Sequence, residues 1–141
     1  MAGNATATND VAFELPKDRF AWYTGAVINK HEATMLDTDG NLVPATATGL
    51  TDSVQFMGVC QYPAEKAGNM ATVVKGAFPV VASDAIAAGK LVEVTDTTTT
   101  INGVAYHTVA ESSGDLGDAI VIGTALTAAA AAGDLLTIAI K

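Results

Sequence analysis

Along most of this chain, β-branched and aliphatic residues come in short runs broken by glycine, proline and acidic turns, and no stretch sustains helical spacing. From Gly25 onward the pattern predicts one strand after another. The first run is 26–29; 34–36 and 42–43 then form a hairpin around Asp37-Thr38-Asp39-Gly40-Asn41. Residues 45–53 read as a loop, 54–62 and 69–75 as strands, and 78–82 as a further strand that Gly76 and Pro79 bend or place at an edge. Residues 83–88 predict one helical turn capped by Ser83. Residues 91–94 are a strand, and 98–101 and 104–109 face each other across Asn102-Gly103, with a polar stretch over 95–100 at the surface. After a loop at 111–118, strands at 119–126 and 135–140 complete about ten short strands. The expected fold is all-β, one compact small barrel or sandwich.

Two of these stretches are copies of one another. Superposed at a constant offset, 57–76 falls on 122–141: Gly58 on Gly123, Ala67-Gly68 on Ala132-Gly133, Met70 on Leu135, Thr72 on Thr137 and Val73 on Ile138. A shorter echo runs over 88–94. Each copy reads as a small-residue approach, a glycine for a tight turn (Gly68, Gly89 or Gly133), a polar residue and then a strand. The alanines of 128–132 favour helix by propensity, but so short a run does not offset nucleation, and the matching 63–67 predicts a compact turn.

Residues 1–23 differ from the rest. Positions 1–10 are small and polar and bury nothing, which predicts an arm that is disordered when free. The following stretch, broken by Pro16, holds Val11, Phe13, Leu15, Phe20, Trp22 and Tyr23, and thus four of the eight aromatic residues of the chain. So dense an aromatic cluster in an irregular segment serves either as an anchor laid across another subunit or as a plug for one end of the domain's own core. The expected division is an arm at 1–23 and a β domain at 24–141.

Composition narrows the function. The 141 residues are 50% hydrophobic but only 6% aromatic and 16% charged, which describes tight packing of small side chains. A net charge of -8 with no lysine or arginine cluster argues against direct nucleic-acid binding. No apolar run is long enough for a transmembrane helix, and the N-terminus lacks a signal-peptide pattern, so no membrane partner is expected. The one cysteine, Cys60, excludes an internal disulfide and reads as a small hydrophobe on a strand.

No residue pattern supports catalysis, a cofactor or a metal. In Asp37-Thr38-Asp39-Gly40-Asn41 the glycine comes too early for an EF-hand and the bidentate glutamate is missing. His31-Glu32 begins like a zinc-protease motif, but Met35 stands where the second histidine belongs. Ala88-Gly89-Lys90 ends like a phosphate loop, yet Asp84 and Leu91 occupy the positions of the required glycine and hydroxyl residue. An enzymatic role would need His31, His107 and acidic residues such as Asp115 or Asp118 to converge. A ligand-binding role would make the chain a β-sandwich module on a virion surface that recognises glycans on a host or fibre, with Trp22 and Tyr23 as a stacking platform.

The glycine and strand pattern of 57–94 and 119–141 resembles the capsid cement, or head decoration, proteins of tailed bacteriophages. The resemblance implies a compact, β-tulip-like domain that sits as a homotrimer on the outer capsid surface of the virion. There it would bind the major capsid protein and stabilise its lattice, after synthesis in the bacterial host cytoplasm. By the same resemblance residues 1–23 are an arm reaching across neighbouring capsid subunits.

Overall fold

The computed structural model describes residues 15–141, and their side chains from Asp18 onward, and among the described residues there are nine strands. They are β1 (Leu15–Tyr23), β2 (Ala33–Leu36), β3 (Leu42–Pro44), β4 (Phe56–Tyr62), β5 (Met70–Ala82), β6 (Leu91–Ile101), β7 (Val104–Glu111), β8 (Val121–Ala125) and β9 (Leu135–Ile140). Among the described residues the one helical element is a 3-10 turn, Ser53–Gln55.

β5 holds the molecule together. Its first half pairs with β1 on one edge and β4 on the other. Its second half pairs antiparallel with β9 from Ala77 to Val81 and parallel with β7 at Val81 and Ala82. The ladder then runs β7, β6, β8, β9 and returns to β5, closing a small five-stranded barrel. The remaining strands form a second ring, β1-β5-β4-β2-β3, which closes through the parallel bridge Thr24 to Leu42.

The two rings are copies, and backbone hydrogen bonds prove the equivalence more fully than side chains do. Ile28 and Ala64 exchange both N–H···O bonds, as do Ile86 and Ala129. His31 N–H donates to Cys60 O and Gly89 N–H to Ala125 O; Gly68 N–H donates to Thr24 O and Gly133 N–H to Ala82 O. The six buried residues of the first barrel's core, Ile28, Leu42, Cys60, Ala64, Ala71 and Val73, therefore correspond to Ile86, Val109, Ala125, Ala129, Leu136 and Ile138 in the second. Between the barrels, Phe78 packs with Val59 and Val74 and is fully buried.

One repeated glycine shows why the sequence repeats. At Gly58, with φ +112, a Cβ would run into the carbonyl oxygen of Val74, and at Gly123 it would run into that of Ala139. Both positions bring one backbone against the next strand, where no side chain fits. The turn glycines Gly68, Gly89 and Gly133 have φ of +92, +85 and +89; His31, with φ +73, takes in the first barrel the place of Gly89 in the second.

The structure corrects several local expectations. Residues 26–29 form only the bridge Ile28 to Ala64. Residues 83–88 form no helical turn, because Ser83 and Ile86 donate to Val109 and Ala129 on other segments. The strand expected to begin at Val54 begins at Phe56, since Asp52 and Gln55 cap a 3-10 turn before it. The runs 69–75 and 78–82 are one strand through Gly76, which has φ +127. Pro79 fits inside it because it faces Thr137, whose N–H donates to Thr127 Oγ1 and whose carbonyl accepts from Leu126. The last of these differences concerns the N-terminal region: Leu15–Tyr23, expected to be irregular, is a strand on β5 with a bulge between Lys17 and Phe20.

Candidate interaction surface

Exposed large apolar side chains gather on the first barrel. Phe20, Trp22 and Tyr23 of β1 are 42%, 46% and 55% exposed. Val11 and Phe13 lie outside the described residues, and Leu15 is described as backbone only, opposite Ala77. Opposed residues on paired strands point to the same face. Phe20 and Trp22 oppose Val73 and Ala71, so they lie on the core side at the barrel's mouth. Trp22 closes over that mouth by donating its Nε1–H to the Gly40 carbonyl at 2.8 Å.

Tyr23 points the other way. It opposes exposed Met70, and two residues further along β5 Thr72 opposes exposed Tyr62 of β4. Tyr23, Met70, Thr72 and Tyr62 thus cross three adjacent strands on one outer face. Tyr62 and Met70 escaped the sequence reading, although one signal was available: at the offset of the repeat, Tyr62 stands where the second copy has Thr127.

The groups considered for chemistry are occupied with structure. His107 is buried; its Nδ1 accepts the Ala33 N–H at 3.1 Å and its Nε2 lies 3.0 Å from the Thr95 carbonyl, to which it donates. His31 stacks on Tyr106, ring centroids 5.1 Å apart, so both histidines lie where the β6–β7 hairpin meets the first barrel. Asp115 and Asp118 belong to a separate loop, where Asp118 Oδ2 accepts the Asp115 N–H and Lys141 Nζ donates to the Leu116 and Asp118 carbonyls. Among the described residues no three histidine, cysteine or acidic side chains are grouped to hold a metal. Burial, followed by the Glu32 charge, pushes the Cys60 thiol up to about 12, far from the thiolate form. The Asp37 carboxylate of the DTDGN turn accepts from the Asp39 and Asn41 N–H groups through Oδ1.

The described residues thus form a double β-barrel whose first ring carries an exposed apolar, aromatic surface. This chain belongs to the phage cement protein family, whose pattern matches residues 24–141. Its role is structural, in the phage capsid. The chain is also similar to the N base of the head fibre gp8.5 of bacteriophage phi29, with 17% identity and a TM-score of 0.54, covering 88% of this chain and 93% of that one. At that identity the likeness concerns the fold. No curated protein matches the chain.

Proposed function

We propose that this protein binds the outer surface of a phage head and stabilises the lattice of the major capsid protein. The observation that carries this reading is membership of the cement family over 24–141. A cement protein needs rigidity and contact area rather than chemistry. An interface of about 800 Å² per partner is modest for one pair but becomes strong when several are engaged at once. A homotrimer on the capsid supplies that multiplicity.

The residues before β1 act as the arm and the two barrels, β1 included, as the tile, with Val11, Phe13, Leu15, Phe20, Trp22 and Tyr23 as the anchor. The exposure of the described aromatics on β1 supports the same reading, because large half-exposed rings are the usual anchors of an interface.

The glycan-binding reading draws on the same exposed Trp22 and Tyr23. Their rings meet edge to face, with centroids 6.1 Å apart and planes at 62°, which is not the flat platform that sugar stacking uses. The test of the leading reading mixes purified protein with capsids stripped of it. Co-sedimentation with the expanded shell, and a gain in its resistance to heat and chelators, is the expected result. Absence of binding, or binding that leaves the shell no more resistant, refutes it.

A further inference from the structure

The two barrels offer an internal control on what the fold itself requires. Each of the four outer-face positions of the first barrel has a counterpart on the same backbone in the second: Tyr23 and Val81, Tyr62 and Thr127, Met70 and Leu135, Thr72 and Thr137. The second barrel closes with valine, threonine and leucine where the first carries two tyrosines and a methionine. Val81 is fully buried and Thr137 nearly so, whereas Tyr23, Met70 and Tyr62 are 55%, 47% and 56% exposed. Burial within the fold therefore does not account for the large side chains on this face, which meet solvent. Pressure to stay soluble would have removed them.

We infer that the outer face of the β1-β5-β4 sheet, centred on Tyr23, Met70, Thr72 and Tyr62, is the surface that seats against the shell protein of the capsid. The inference rests on the proposed cement function and adds which side of the molecule meets the shell. Adjacent strands lie about 4.8 Å apart, so the two tyrosines bracket β5 as a shallow, open surface rather than a cleft. Such a surface suits the flat outside of a protein shell. None of the four side chains is charged on a chain of net charge -8, so the face offers no attraction to a polyanion or an acidic lipid surface.

The position of the face supplies a second argument. β1 is the strand into which residues 1–14 lead. Fourteen residues span at most about 50 Å when extended. The face and the preceding segment can therefore engage one shell together, and the second contact gains from the first through effective concentration. Methionine and tyrosine suit this use, the one adapting its shape and the other combining area with a polar tip.

The test replaces each residue with its own counterpart, in the triple variant Tyr23→Val, Met70→Leu, Tyr62→Thr, and measures co-sedimentation with stripped, expanded capsids. The expected result is an unchanged melting temperature and an affinity weaker by about tenfold or more, while Leu116→Ala and Val104→Ala, at exposed apolar sites elsewhere, bind as wild type. Radical footprinting of the unmodified protein covers the case of a triple variant that fails to fold: Met70, Tyr23 and Tyr62 become protected on the capsid and Leu116 does not. Wild-type binding with an equally tight triple variant, or with no protection at these residues, overturns the inference and leaves the cement function standing. Failure of the wild type to bind removes both. A Trp22 fluorescence response to sugars without capsid protection of Tyr62 assigns the surface to glycans and also overturns it.

Discussion

His107 Nδ1 accepts the backbone N–H of Ala33 at 3.1 Å, across 74 positions of sequence, and so ties the hairpin of the second barrel to a strand of the first. The hairpin is long for this purpose. Leu36 and Leu42 close the β2–β3 hairpin six positions apart, while their counterparts Val94 and Val109 are fifteen apart, a difference of nine residues. The added length ends in the Asn102-Gly103 turn, with φ +51 and +81, and carries Tyr106 onto His31. A second hydrogen bond, from Nε2 to the Thr95 carbonyl, fixes the neutral tautomer in which Nδ1 is the acceptor.

Acid should weaken this tie. Burial holds the His107 pKa below the ordinary imidazole range, against smaller upward contributions from the Thr95 hydrogen bond and the Asp96 charge. An unfolded histidine titrates near pH ~6.5, so below that pH the unfolded chain takes up a proton that the folded chain resists. The stability is fully present above pH ~6.5 and declines as pH falls towards the folded value. Glu32 acts in the opposite sense: burial raises its pKa, its Asn29 hydrogen bonds only partly offset this, and it favours folding as pH falls towards about 4.5. Urea midpoints measured between about pH 7.5 and 5.5 should fall for the wild type. They should fall less for His107→Asn, which keeps an acceptor near Nδ1 without titrating; equal slopes would remove His107 as the cause.

Cys60 should be inert in the folded protein. Its thiol is fully buried, lies 3.2 Å from the Tyr62 carbonyl and is pushed up to about 12. A thiol reagent at pH ~8 should modify it only as fast as the protein unfolds. The second barrel places Ala125 at the same position, so Cys60→Ala should fold and lose only about 1–2 kcal/mol, the cost of a small cavity. Rapid labelling under native conditions would contradict the packing described.

How much of this was legible in the sequence depended on whether a residue's role was local. Gly68, Gly133 and Asn102-Gly103 announce turns, because few residues other than glycine and asparagine accept positive φ at low cost. The repeat of 57–76 in 122–141 was visible because Gly58 and Gly123 are fixed by contact with a neighbouring backbone, and Gly68 and Gly133 by positive φ. The other half of the duplication was hidden. Ile28 and Ile86, or Cys60 and Ala125, are tied to their places by backbone hydrogen bonds that many side chains satisfy. The nine extra residues between β6 and β7 also shift the offset, so no constant spacing connects the two copies. β1 was obscured by Pro16, which is tolerated on a strand paired along one edge only. Of the candidate surface, Phe20, Trp22 and Tyr23 could be read from their clustering, whereas Met70 and Tyr62 join Tyr23 only through the register of β1, β5 and β4.

The repeated glycines give a prediction about backbone approach. Gly58→Ala and Gly123→Ala each force a methyl group against a strand carbonyl, and should each cost at least about 2 kcal/mol. Gly103 also has positive φ, +81, but nothing stands within 4 Å of its added Cβ. Gly103→Ala should therefore cost only the conformational penalty, about 1–2 kcal/mol. Chemical unfolding of the three variants checks the order; a Gly58→Ala protein as stable as the wild type would mean that β4 and β5 do not approach as described.

Trp22 is the one tryptophan of the chain, which makes its fluorescence a direct report on the mouth of the first barrel. The ring is 46% exposed, and its Nε1–H is held by the Gly40 carbonyl at the tip of the β2–β3 hairpin. The free protein should therefore emit towards the red and be quenched by acrylamide. Trp22→Phe removes a half-exposed hydrogen bond and part of a lid, so its stability cost should be about 1 kcal/mol. Because Trp22 and Tyr23 are adjacent on β1 with their rings in contact, covering the outer face should restrict the indole as well. Binding to the capsid should thus shift the emission to the blue and suppress quenching. A blue-shifted, unquenchable tryptophan in the free protein would instead mean that the aromatics of β1 plug the barrel's own core, the role for which Val80 suffices in the second barrel.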